Sequence, residues 1–61
     1  MQDRKRYEFV DGEGVARVVR ADRVVDAQYH AATFVQKQTG SVAAAEVAAR
    51  SVREYDAEGR S

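Results

Sequence analysis

The sequence predicts an α+β domain in which a β-hairpin is followed by two helices, ββαα. Three observations carry that expectation. Period-two alternation flanks a glycine-bearing turn in "KRYEFVDGEGVARVVR". Two later segments repeat their apolar residues at helical spacing. Gly40-Ser41 divides those segments with a stop signal followed at once by a cap. The 61 residues allow one domain spanning 1–61, with no linker long enough to divide it.

The hairpin is expected over about 5–20. Gly12-Glu13 fits the centre of a two-residue turn, with Gly12 supplying the positive φ that a II′ turn requires. That register sets Val10 against Val15, Phe9 against Ala16, Glu8 against Arg17 and Tyr7 against Val18. One face then carries Tyr7, Phe9, Ala16 and Val18, and the other carries the Glu8–Arg17 charge pair.

A first helix is expected over about 23–38. At 100° per residue, Val24, Val25, Ala27, Ala31, Ala32, Phe34 and Val35 fall within one arc, while Asp26, His30, Thr33 and Lys37 fall opposite. A strand would scatter both groups. Asp22 fits the N-cap, and Gly40 the stop.

A second helix is expected over about 42–57, capped by Ser41. Val42, Ala44, Ala45, Ala48, Ala49, Val52 and Tyr55 line one face. Glu46, Arg50, Arg53 and Glu54 line the other, with Glu46 and Arg50 in the favourable i, i+4 order.

Composition points to association. A chain this short buries only about 60% of its unfolded surface, so it is marginally stable alone. Ten valines, eleven alanines, two phenylalanines, three tyrosines and one methionine make up the apolar set, without leucine, isoleucine or tryptophan. There is no cysteine and only one histidine. Disulfides are therefore excluded, and an imidazole-based zinc site within one chain is not expected. Oligomerisation or docking on a larger protein remains as the aid to stability. The alanine face of the second helix would let a backbone approach closely, whether from the first helix, from a second copy or from both. Alanine is also the best helix former, which is reason enough for its abundance. Ala45, Ala48, Ala49, Val52 and Tyr55 are the residues expected at a partner or oligomer interface.

The segment from about 23 to 58 resembles the ribbon-helix-helix regulators and antitoxins. Gly40, Ser41, Glu46, Val47, Val52 and Tyr55 carry the likeness, and "VREY" matches a common ending of that family. The resemblance implies an intertwined dimer whose paired strands enter the major groove, with Arg17 and Arg20 of "VARVVR" as the DNA contacts. The upstream "KRYEFVDGEG", expected to pair with that strand within the same chain, departs from the family pattern.

Ten basic and ten acidic residues balance, so no global charge favours nucleic acid or an anionic membrane. No apolar run reaches membrane-spanning length and no signal peptide is evident, so a cytoplasmic protein is expected.

Catalytic chemistry finds little to use. His30 lies one turn after Asp26, a spacing that would let a carboxylate orient an imidazole, but no serine or threonine is placed as a nucleophile. Asp22 with Asp26, and Glu54 with Glu58, are expected to be caps or solvated surface. "DGEG" lacks the later ligands of a calcium loop, and no phosphate-binding glycine motif is present. Arg4, Lys5 and Arg6 are diluted by Asp3 and Glu8. Tyr7, Phe9 and Tyr29 are expected in the core. The expected protein is a non-enzymatic interaction module without cofactor or metal, acting as a homo-oligomer or as an accessory subunit of a larger assembly. The alternative is the DNA-binding dimer.

Overall fold

In the computed structural model the described residues are 4–55. Strand β1 (Lys5–Val10) and strand β2 (Ala16–Ala21) form the hairpin. Helix α1 (Val24–Thr39), helix α2 (Val42–Arg50) and a short strand β3 (Arg53–Glu54) follow. The strands make one antiparallel sheet in the order β2-β1-β3, with the helices packed on one face. The α+β class stands, with a third strand added after the helices.

The turn differs from the two-residue form. Gly14, at φ 81°, supplies the left-handed residue. Gly14 N–H donates to the Asp11 carbonyl at 3.1 Å, and Asp11 N–H donates to the Val15 carbonyl at 3.0 Å. These bonds describe a three-residue loop closed by a glycine bulge. The extra loop residue moves the register by one: Val10 faces Ala16, Phe9 faces Arg17, Glu8 faces Val18 and Tyr7 faces Val19. A slip of one residue exchanges the faces of a strand. Ala16 and Val18 therefore lie on the solvent face, while Val19 and Ala21 turn inward to join Tyr7 and Phe9. The expected Glu8–Arg17 pair does not form.

Helix α1 begins after Arg23, which holds the N-cap position without a side-chain cap. Asp22, the expected cap, instead lies 3.8 Å from Arg4. Its buried stripe is Ala27, Ala31 and Val35, spaced by four. That stripe is narrower than the expected arc. Val24, Val25 and Phe34 are exposed, and Tyr29 is 72% exposed rather than in the core. A single small sheet and one short helix cannot cover all the apolar residues of α1.

The junction between the helices follows the sequence closely. Gly40 adopts φ 73° and donates its N–H to the Gln36 carbonyl at 2.7 Å, ending α1. Ser41 Oγ accepts the Ala44 N–H at 3.1 Å, opening α2.

Helix α2 stops at Arg50, short of the expected end at 57, and residues 56 and 57 lie outside the described part. Ser51 Oγ donates to the Ala48 carbonyl at 2.7 Å and accepts the Val10 N–H at 3.1 Å. One hydroxyl thus closes the helix and fastens its end to β1. Beyond it, Glu8 faces Arg53, Tyr7 faces Glu54, and Tyr55 N–H donates to the Arg6 carbonyl at 2.8 Å. Arg53 completes the edge with an Nη2 contact to Glu8 Oε1 at 3.3 Å. Sheet pairing prevails over helical periodicity because β1 otherwise keeps unpaired backbone groups along this side.

The core is thin. Phe9 and Val35 are its largest fully buried side chains, and alanines 27, 31, 45 and 48 fill the space between the layers. Small side chains let α1 and α2 lie close together, but each alanine removes little apolar surface from water.

Candidate functional site

The surface most open to a partner is the outer edge of β2, and the turn before it sets its position. Asp11 is the organising residue there, with no side-chain surface exposed. Its Oδ1 accepts the Glu13 N–H at 2.8 Å and the Val15 N–H at 2.9 Å. Its Oδ2 accepts Arg17 Nε at 2.9 Å and Gln38 Nε2 at 3.4 Å. The Val15 N–H, then the Arg17 guanidinium, the Glu13 N–H and the Gln38 amide hold this carboxyl well below the usual carboxylate range, against an upward push from burial. Every buried polar side-chain atom among the described residues has a partner. The Asp11 cluster is accordingly a structural lock.

Beyond that lock, β2 has a partner on one side only. The Asp11–Val15 bond sets the phase of the ladder. By antiparallel alternation, Arg17 and Val19 direct their backbone groups toward β1, while Ala16, Val18 and Arg20 direct theirs away from it. The outward N–H and C=O groups of these three residues therefore form an open edge among the described residues. Edges of this kind are commonly blunted by lysine, proline or a bulge. The six residues of β2, "ARVVRA", contain neither lysine nor proline. Val18, at the middle of the edge, is 48% exposed.

The two arginines expected at DNA have different surroundings. Arg17 turns inward, bonded to Asp11, with its guanidinium 5.2 Å from the centre of the Phe34 ring. Arg20 lies on the outer face directly opposite Arg6, with Tyr55 beside Arg6 on β3. The structure thus separates the pair onto two sides of the sheet.

The expected interface residues are also divided. Ala45 and Ala48 are buried in the chain's own core, Ala49 and Val52 are half-buried, and Tyr55 is exposed on the sheet. The alanine face is consumed internally, against α1 and Phe9. What α2 leaves exposed is Val42 and Val47. The open edge was not legible as a site in composition. Its signal was the alternating, proline-free "VARVVR" next to a turn.

A shallow cleft of about 170 Å³ lies at the far end of β2, where Arg4, Arg20, Asp22, Asp26, Tyr29 and His30 meet. His30 is exposed, with its ring edge-on to Tyr29 at 6.2 Å. The lining mixes cations and carboxylates and supplies no serine, threonine or cysteine nucleophile. Among the described residues no group of three metal-ligating side chains comes together, and no helix is long and apolar enough to cross a membrane. Glu54 lies on β3, while its expected neighbour Glu58 falls outside the described residues.

Searches of family models, curated proteins and solved structures found nothing that matches this chain.

Proposed function

We propose that this protein is a non-enzymatic protein–protein interaction module whose contact surface is the open edge of β2. The observation that carries the reading is the outward row of backbone groups at Ala16, Val18 and Arg20, on a strand without lysine or proline. Such an edge recruits an additional strand through main-chain hydrogen bonds, and the alternate side chains select the partner. The thin core supports the same reading, because a second polypeptide adds the burial that a chain of this size lacks. Buried Ala45 and Ala48 leave α2 as scaffold, so the contact surface moves from helix to sheet.

A photoreactive amino acid placed at position 18, with position 36 on exposed α1 as reference, tests this in cells that produce the protein. Polypeptide adducts formed from position 18 and not from position 36 are the expected result. Adducts with nucleic acid alone would replace this reading with the DNA-binding one, and equal adducts from both positions would overturn any special role of the edge.

A further inference from the structure

We infer that the occupant of the β2 edge is a second copy of this chain, paired antiparallel about a two-fold axis through Val18. The assignment rests on the reading of β2 as a docking edge and adds the partner and the register.

The argument is one of self-complementarity. The outward-facing residues are Ala16, Val18 and Arg20, spaced by two. With the axis at Val18, Val18 meets its own copy, Ala16 meets Arg20 of the second copy, and Arg20 meets Ala16 of the second copy. All three outward residues then find strand residues opposite them, making about six inter-chain hydrogen bonds. An axis at Arg17 would oppose two arginines and send Arg20 to Gly14 in the turn. An axis at Val19 would send Ala16 past the strand end to Asp22. Only the Val18 axis uses the whole edge.

Side chains agree with that register. On the outer face, Arg20 already has Arg6 directly opposite within its own chain. Its second neighbour in the pair is the small, neutral Ala16, so no further like charge is added. The two Val18 side chains cover one another at the axis, removing exposed β-branched surface from water. On the inner face, Arg17 meets Val19 of the second copy rather than another arginine. Phe34, 40% exposed beside Arg17, stands next to the same edge and offers apolar surface to the joined sheet. An unrelated strand partner would not require this match of the edge with its own reverse.

The natural absence of cysteine makes the register directly testable in the full chain. Light scattering of the wild-type protein over a wide concentration range should give twice the 6.8 kDa chain mass. Val18→Lys should return the mass to that of one chain with an unchanged circular dichroism spectrum, since position 18 is already solvent-exposed in the single chain. Under mild oxidation Val18→Cys should cross-link to itself. The expected Cα separation of about 5.5 Å lies within the disulfide range of about 4.4–6.8 Å. Ala16→Cys mixed with Arg20→Cys should give the mixed dimer, with little cross-linking of either variant alone. A wild-type monomer at every concentration overturns the inference. If position 18 nevertheless forms cellular adducts with a different polypeptide, the docking edge stands and only the identity of the partner falls. A dimer that Val18→Lys leaves intact and Val18→Cys does not cross-link also overturns the inference, placing the contact on another face.

Discussion

The Gly12 backbone N–H donates to Oε1 of Gln38 at 2.8 Å, joining the hairpin turn to the last turn of α1. The same amide donates from Nε2 to Asp11 Oδ2 at 3.4 Å, so one side chain holds two successive residues of the turn. The contact requires a bare backbone: a Cβ added at Gly12 would stand 2.3 Å from Thr39 Cγ2 and 3.0 Å from Gln38 Oε1. Gly12 is there for close approach, and Gly14 for its positive φ.

Gly12→Ala should therefore destabilise the domain by about 1–3 kcal/mol, the usual range for an overpacked contact. Thr39→Ser removes the clashing methyl and retains the hydroxyl that donates to the Val35 carbonyl. The double variant should recover part of the loss, a coupling that urea denaturation of all four proteins would measure. Additive effects would show that the turn does not press on Thr39.

Asp11 should control the acid limb of stability. Its folded-state pKa is depressed, so its contribution is present above the unfolded-state value near pH 4 and is lost as pH falls below it. Asp11→Asn removes the charge that Arg17 meets while keeping an oxygen for the turn amides. Melts from pH 7 down to pH 2 should show a lower melting temperature at pH 7 and a flatter acid decline in the variant. Parallel declines in the two proteins would assign the acid sensitivity elsewhere.

Ser51→Ala should loosen β3 without dissolving α2. The change removes the acceptor of the Val10 N–H and the donor to Ala48. A lost hydrogen bond of this kind costs about 1 kcal/mol. Amide exchange at Val10 and Tyr55 should accelerate, while exchange at Ala45 changes less. Uniform acceleration would mean that β3 and α2 open as one unit.

Two neighbouring positions on α2 should respond oppositely to charge. Ala48 is 1% exposed against Phe9, Ala31 and Val35, so Ala48→Glu places an unpaired carboxylate in the core and should leave the chain unfolded. Val47 is exposed, and Val47→Glu should change stability by no more than about 0.5 kcal/mol. Circular dichroism of both variants decides the matter. A folded Ala48→Glu protein would contradict the internal role of the alanine face.

Local signals were legible wherever the chemistry of one or two residues settles the backbone. Gly40 and Ser41 end one helix and start the next as their types require, and α1 differs from its expected span by one residue at either end. The hairpin was legible too, but its register was not. "DGEG" accommodates a two-residue or a three-residue loop, and the choice depends on the Asp11 carboxylate gathering the Glu13 and Val15 amides. The docking edge was readable only in part, because which β2 residues face outward follows from that same register.

The sequence by itself determined the class of the domain, the break between its helices and the scarcity of large core side chains. These follow from periodicity, capping chemistry and composition, which act over a few residues. Tertiary structure alone decided the fate of "SVREY", whose spacing suits an amphipathic helix as well as a strand. The open side of β1 presents Arg6, Glu8 and Val10 backbone groups that Ser51, Arg53 and Tyr55 satisfy from across the fold. Pairing those groups, and joining Arg53 to Glu8, outweighs one more turn of helix. The same long-range pairing makes β1 central and leaves β2 as the long open edge.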